Sequence, residues 1–203
     1  MQLQIKIFMI LALSHSLFAQ ASSTTNYLVD TSESKVNWKA TKPTSERYGL
    51  ISVAGGWIQT VGTRIESAEI KIDMNSITVL EIDSPEWNAK LVNHLKSDDF
   101  FSVDKYPTAV LEISSATPLD NPKPGEPNYR FRGDLQIKGI THSTEFNALV
   151  TFSQAGASAL GEIVIDRTKY DVRYRSGKFF ENLGDKLIND DFTISFDISS
   201  VKE

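Results

Sequence analysis

Tyr129-Arg130-Phe131-Arg132-Gly133-Asp134-Leu135-Gln136-Ile137-Lys138 alternates without a break, Tyr129, Phe131, Gly133, Leu135 and Ile137 on one side and charged or polar residues on the other. A strict period of two sends these sets to opposite faces of a strand. One face is then buried and the other wet, as in an antiparallel sheet covered on one side. The same period recurs along the chain. Val36, Trp38 and Ala40 alternate with Lys35, Asn37 and Lys39, and Ala68, Ile70 and Ile72 with Glu69, Lys71 and Asp73. Ala109, Leu111 and Ile113 alternate with Val110, Glu112 and Ser114, and Phe192, Ile194, Phe196 and Ile198 with Thr193, Ser195, Asp197 and Ser199. Gly49, Gly55 and Gly56 break the pattern between Gly49 and Trp57, as at a bulge or the sharp bend of a closing barrel.

Turn signals punctuate these strands. Asn121-Pro122-Lys123-Pro124-Gly125-Glu126-Pro127 reads as a long exposed loop and Gln154-Ala155-Gly156 as a hairpin connection. No internal repeat and no second composition regime divides the chain, so it reads as one domain. Ser84-Pro85 reads as an N-cap with proline at the first helical position, Glu86 favouring the first turn. Trp87, Leu91, Val92 and Leu95 follow at helical spacing on one face. One short helix is therefore expected in an otherwise all-β protein, with a further helical turn near Phe179 to Leu183.

Behind the helix, His94-Leu95-Lys96-Ser97-Asp98-Asp99-Phe100-Phe101-Ser102-Val103-Asp104-Lys105-Tyr106-Pro107 carries two adjacent phenylalanines and ends in a dipeptide that cannot continue a helix. This stretch resembles the hallmark of the YceI-like family. Two more stretches do so in the same order. Arg132-Gly133-Asp134-Leu135-Gln136-Ile137-Lys138-Gly139-Ile140-Thr141-His142 looks like the family's Gly-x-Leu-x-Ile-x-Gly-x-Thr strand and turn. The third runs from Ile165-Asp166-Arg167 through Tyr170, Val172 and Tyr174 to Ser176-Gly177-Lys178-Phe179-Phe180-Glu181-Asn182-Leu183-Gly184-Asp185-Lys186. The resemblance covers nearly everything from Tyr27 to Val201. It implies an antiparallel, lipocalin-like β-barrel of about eight strands around an elongated apolar channel. It further implies polyisoprenoids or other long-chain lipids as ligands, and no established catalytic residues.

The first residues read as a secretory signal. Lys6 is followed by the apolar run Ile7 to Leu13, and Ala19 and Ala21 offer small residues for cleavage. The expectation is a signal peptide over 1–19, with cleavage after 21 as the alternative, a polar linker over 22–26 and the barrel domain over 27–203. The run is short for a span of roughly 20 residues, so no integral membrane span is expected in the mature protein, which would be periplasmic or secreted. The chain has no cysteine, which leaves no disulfide, thiolate metal site or lipid-anchor cysteine. The balance of 21 basic to 26 acidic residues, net −5, argues against nucleic acid as a partner.

Chemistry-bearing groups are sparse. Of three histidines His15 lies in the signal, leaving His94 and His142, too few for the usual zinc ligand set. No Gly-x-Ser-x-Gly elbow is present, and Asp98-Asp99 and Asp190-Asp191 read as element-end caps because adjacent side chains diverge. No catalytic residue, metal or cofactor is expected. The aromatic residues are more informative. Trp38, Phe131, Leu135, Phe146, Phe152, Phe192, Ile194 and Phe196 occupy apolar strand faces, with Ala148 on the face of Phe146. Phe100, Phe101 and Phe180 come from two Phe-Phe pairs that either seal the barrel ends or line the channel. These twelve residues are the candidate channel lining, and Ala148→Trp is expected to fill the lumen while the barrel stays folded. Tyr170 and Arg173 are candidates for a polar rim that meets a headgroup; the alternative pairs Arg173 with Asp171.

The functional expectation is a carrier that sequesters a long-chain isoprenoid or fatty-acid-like lipid, of isoprenoid quinone or polyprenyl type. A homodimer is left open. The competing expectation is a secreted β-barrel interaction module with a packed interior and no lipid cargo.

Overall fold

A computed structural model describes residues 23–203. The expected signal segment and both cleavage positions lie outside the described residues. Nine strands form one antiparallel sheet: β1 (Thr24–Val29), β2 (Lys35–Lys42), β3 (Ser45–Val61), β4 (Arg64–Asp73), β5 (Thr108–Pro118), β6 (Tyr129–Ile137), β7 (Ile140–Phe152), β8 (Gly156–Asp166) and β9 (Asp191–Lys202). From β2 onward each strand pairs with the next, and β9 returns to pair with β2 from Lys35↔Asp197 to Ala40↔Phe192. The result is a closed, up-and-down eight-stranded barrel with no free edge along this ring. The short β1 continues beyond β2 between the far halves of β3 and β9. Thr24–Asn26, expected to be linker, therefore belong to a strand: they pair with Gln59–Val61.

The alternation predicted from sequence sets the two faces of the wall. In β6, Tyr129, Phe131, Gly133, Leu135 and Ile137 are buried and the residues between them exposed. Glycine is required at one of these positions by geometry. A Cβ on Gly133 would come 2.1 Å from the Glu112 carbonyl oxygen, where β5 crosses close beneath it and the β5–β6 register shifts between Ile113 and Ser115. The irregular Gly49–Trp57 stretch likewise holds a register shift, between Val53 and Gly55. Bends of this kind let a strand turn a barrel corner.

The one α-helix among the described residues, α1 (Pro85–Lys96), starts at Ser84 and Pro85 as expected, although Ser84 caps through its carbonyl, which accepts the Asn88 amide, and not through its side chain. Leu95 is buried, and Leu91 and Val92 pack partly against the core. Trp87 departs from the expected stripe: it is 58% exposed, with the Lys90 ammonium 4.7 Å from its ring. The helical turn expected near Phe179 to Leu183 falls instead at Gly184–Lys186, with two more 3-10 turns at Met74–Ser76 and Arg167–Tyr170.

Gly133→Ala is expected to lower stability by about 1–3 kcal/mol, since a clash with backbone has no rotamer that relieves it. Urea unfolding measures this, and a neutral result would mean that β5 yields at its bulge.

Candidate functional site

Where a barrel of eight strands is filled or hollow is decided by its inward side chains. Here the interior holds a cavity of about 210 Å³, counting only space that the centre of a water molecule can reach. At about 10–15 Å³ per water, that exceeds ten waters and is no ordinary packing fault. Its wall exposes no polar atom to the lumen. The inward residues Ile70, Ile72, Leu111, Phe146, Phe192, Ile194 and Phe196 line this space and are only partly buried, as a packed core would not leave them.

The structure brings eleven of the twelve sequence-derived lining candidates into this wall: Trp38, Phe100, Phe101, Phe131, Leu135, Phe146, Ala148, Phe152, Phe192, Ile194 and Phe196. Aromatic rings form a continuous inner surface, Phe131 stacked on Phe146 at 5.3 Å and Phe146 edge-on to Phe196 at 5.8 Å. Phe180 is the exception. Phe180 and Phe179 are 50% and 45% exposed, both amides turning back to the Ser176 carbonyl, so this pair hangs outside the barrel. Ala148 lies in the wall but has no exposed surface at all, being packed among Ile65, Ala68, Tyr129, Phe131 and Val150.

Two covers close one end of the barrel, each contributing to the wall. The first is α1 with the segment 97–107, which supplies Leu95, Phe100 and Phe101; Asn88 ties it to the Val79 and Ile82 carbonyls. The second is the segment 167–190, which supplies Val172 and Ile188. One residue organises it, and the sequence reading did not single that residue out. Arg167 is 4% exposed, and its guanidinium donates to the carbonyls of Val172 (2.8 Å), Tyr174 (3.0 Å), Ile188 (2.9 Å) and Asn189 (3.1 Å), with Asp190 Oδ1 at 3.4 Å. Burial lowers its pKa, opposed by the charges of Asp190 and Asp166. A planar fork of five donors suits this role, since every N–H finds an acceptor and none is left for a ligand. An arginine beside an Ile-Asp pair at a strand end carries no pattern that separates it from a surface cation.

Neither rim candidate lines the cavity. Tyr170 is buried against the edge of His142, whose Nε2 meets the Lys169 carbonyl at 2.9 Å. Arg173 pairs with Asp171 at 2.7 Å and lies 4.9 Å over the Phe179 ring, in keeping with the ion-pair alternative. His94 meets Asp99 at 2.9 Å. The Asp pairs engage cations: Asp98 accepts from Lys105, and Asp190 faces Arg167 and Lys178. Capping is done by Asp166, which accepts the Thr168 amide and also binds Lys178. Burial pushes the Asp166 carboxyl up, but these hydrogen bonds outweigh it and hold its pKa at about 2. No cluster of three or more His, Cys, Asp or Glu able to hold a metal occurs among the described residues, and none of their helices is long and apolar enough to cross a membrane.

The family model for the YceI-like domain matches residues 27–200. BcnA of Burkholderia cenocepacia superposes with a TM-score of 0.64 at 21% identity, covering 84% of this chain and 98% of that one. A polyisoprenoid binding domain from Saccharophagus degradans gives 0.59 at 19%, covering 87% and 98%. Among curated proteins, a UPF0312 protein of Staphylococcus aureus is 35% identical over 89 residues, 40% of this chain and 46% of that protein. The match thus spans just under half the length of these curated relatives.

Arg167→Met is expected to cost about 3–5 kcal/mol, because buried acceptors lose their charged partner, and to expose the 171–190 segment to hydrogen exchange before the strands. Asp166 tests the acid side of the same clasp. Its pKa lies below the ordinary 3.8, so its contribution is complete above that value and is lost as pH falls from 3.8 towards 2. Asp166→Asn is therefore expected to flatten the stability profile by about 2 kcal/mol over that window, read by urea unfolding at each pH.

Proposed function

The chain belongs to the YceI-like family, and we propose that it is a binding protein that carries long-chain apolar lipids in its barrel, polyisoprenoids foremost. The observation that carries this reading is a lumen large enough for many waters whose wall offers water nothing to bond. Water in such a space lacks the two to four polar partners that hold buried water in place. A hydrocarbon chain gains roughly 0.8 kcal/mol per methylene on leaving water for it, offset by ordering of the chain and, for a guest drawn from a bilayer, by lost lipid contacts. The likeness of the fold to a polyisoprenoid binding domain from Saccharophagus degradans supports the choice of ligand class. Sequestration needs no catalytic group, and the reading includes none. Export by a cleaved signal over residues 1–19 and residence in the periplasm or outside the cell belong to the same proposal.

Organic extraction of protein purified from its native cell without added lipid is expected to release a stoichiometric long-chain compound, identified by mass spectrometry. An empty barrel that also takes up no added lipid would overturn the reading.

Filling the lumen is the sharper test, and the structure moves it from Ala148, where a larger side chain overpacks a closed core. Ala159 lines the same cavity, is partly exposed and sits between Val150 and Ile198 on neighbouring strands. Ala159→Trp is expected to stay folded and to lose extractable lipid, whereas Ala148→Trp costs about 1–3 kcal/mol of stability. Full occupancy in Ala159→Trp would place the guest elsewhere.

A further inference from the structure

Resting on the lumen reading, we propose that a guest enters and leaves through the seam between the two covers, and that Lys138 is the latch that holds the seam shut. The two ends of the barrel differ in what opening them would break. At the end away from the covers, strands that share ladder hydrogen bonds meet in the β3–β4 and β7–β8 hairpins. Two aromatic side chains reach across it: Tyr129 Oη donates to the Thr63 carbonyl at 3.0 Å, and the Tyr27 ring lies 6.3 Å from that of Phe152. Thr60 and Ala148 have no exposed surface there. A doorway at this end would have to break the Tyr129 hydrogen bond and open the packing that buries Thr60 and Ala148.

The covered end is built differently. Neither cover is a strand, and among the described residues no backbone hydrogen bond joins one cover to the other. They meet through rings, His94 at 4.7 Å and Phe100 at 5.3 Å from Tyr174. Phe101 of the first cover lies 6.4 Å from Phe192 of the wall, and both keep part of their surface open. Ring contacts slide and reform without stranding a polar group, so a seam of this kind parts at small cost.

Among the described residues one polar side chain bonds both covers. Lys138 stands at the tip of the β6–β7 hairpin, where Lys138 and Gly139 both have positive φ, 53° and 73°. Two successive left-handed residues give the turn whose twist matches its flanking strands. The turn is docked on the first cover, since a Cβ on Gly139 would come 2.7 Å from the Tyr106 ring. Only 11% of the Lys138 side chain is exposed. Its ammonium donates to the Asp171 carbonyl of the second cover at 2.9 Å and to the Asp98 carbonyl of the first at 3.3 Å. A lysine suits this position because its three donors ride on a flexible stem and bond two carbonyls that do not face each other. Lys138 is not among the residues that line the lumen and acts on the guest only through the covers.

The test uses stopped-flow exchange of cis-parinaric acid with the full chain, read by energy transfer from its three tryptophans, of which Trp38 lies in the lumen wall and Trp57 and Trp87 are exposed. Lys138→Met is expected to speed uptake and release alike, each about tenfold, as loss of a charge-assisted hydrogen bond allows. Affinity should stay within about twofold, because losing a latch that only raises the barrier leaves the difference between the end states unchanged. Lys138→Arg is expected to restore slow exchange, and Lys138→Gln, which keeps a donor without the charge, to fall between and to carry the test if the Met variant unfolds. Unchanged rates overturn the latch, as does faster release with unchanged uptake and weaker affinity, which is what lost packing alone gives. Faster exchange in Tyr129→Phe but not in Lys138→Met would put the doorway at the opposite end. If the native chain shows no transfer to the probe at all, the lumen reading itself fails; transfer with no kinetic difference fails the latch alone.

Discussion

Closure of the backbone ladder between β9 and β2 is the constraint on which the rest of this molecule depends. An open sheet of these strands would leave an edge of unpaired amides and carbonyls, and its apolar face would need a second layer to cover it. Pairing Lys35–Ala40 with Phe192–Asp197 removes the edge and turns the apolar face in on itself. Once the ring is closed, its radius is set by strand number and stagger. The inward side chains then either meet at the axis or leave it empty. Here they leave it empty along a line from Phe192 to Phe152, and the hollow follows from closure plus side chains too short to span it.

The ends of the barrel are governed by hydrogen bonding, and the two covers meet this demand in different ways. A helix satisfies most of its own backbone, so the first cover is held by a few scattered bonds, Asn88 to the Val79 and Ile82 carbonyls and Lys96 to that of Asn75 among them. The second cover is mostly irregular and has carbonyls that must be bonded under burial. Arg167 meets four of them with one side chain. A chain without disulfides thus organises an irregular segment around one buried arginine, with Asp166, Asp190 and Lys178 arranged around it.

Much of this was legible in the chain because the physics involved is periodic. Alternation along Tyr129–Ile137 and Phe192–Ile198 told which side chains face inward, and Ser84-Pro85 marked where the helix begins. What escaped was what periodicity does not encode. Phe100 and Phe101 look like Phe179 and Phe180 in sequence, yet one pair is held inward by the Lys96 and Leu95 carbonyls that bond the segment after α1, and the other is turned outward at Ser176. Tyr170 sits in a stretch that reads as polar and is buried by a three-dimensional partner, His142, on another strand. Arg167 is recognisable only once the carbonyls it serves, 5 to 22 residues downstream, are in place. Ala148 reads as open space by its small size, and whether a small residue marks a hollow or a tight packing point depends on neighbours from three other strands.

The bare wall of the lumen has a consequence for selectivity. A site that offers hydrogen bonds rejects molecules lacking the right partner by large factors, because its own groups are then left unbonded; an apolar pocket separates guests that differ by one methylene only by about 10–200-fold. Such a barrel therefore gauges girth and length and is blind to the order of atoms along a hydrocarbon chain. Saturated, branched and unsaturated tails of like bulk are nearly equivalent inside it. Under the proposed function, the molecule carried would then be decided by what is abundant where the protein resides, the barrel serving as a sampler of its surroundings.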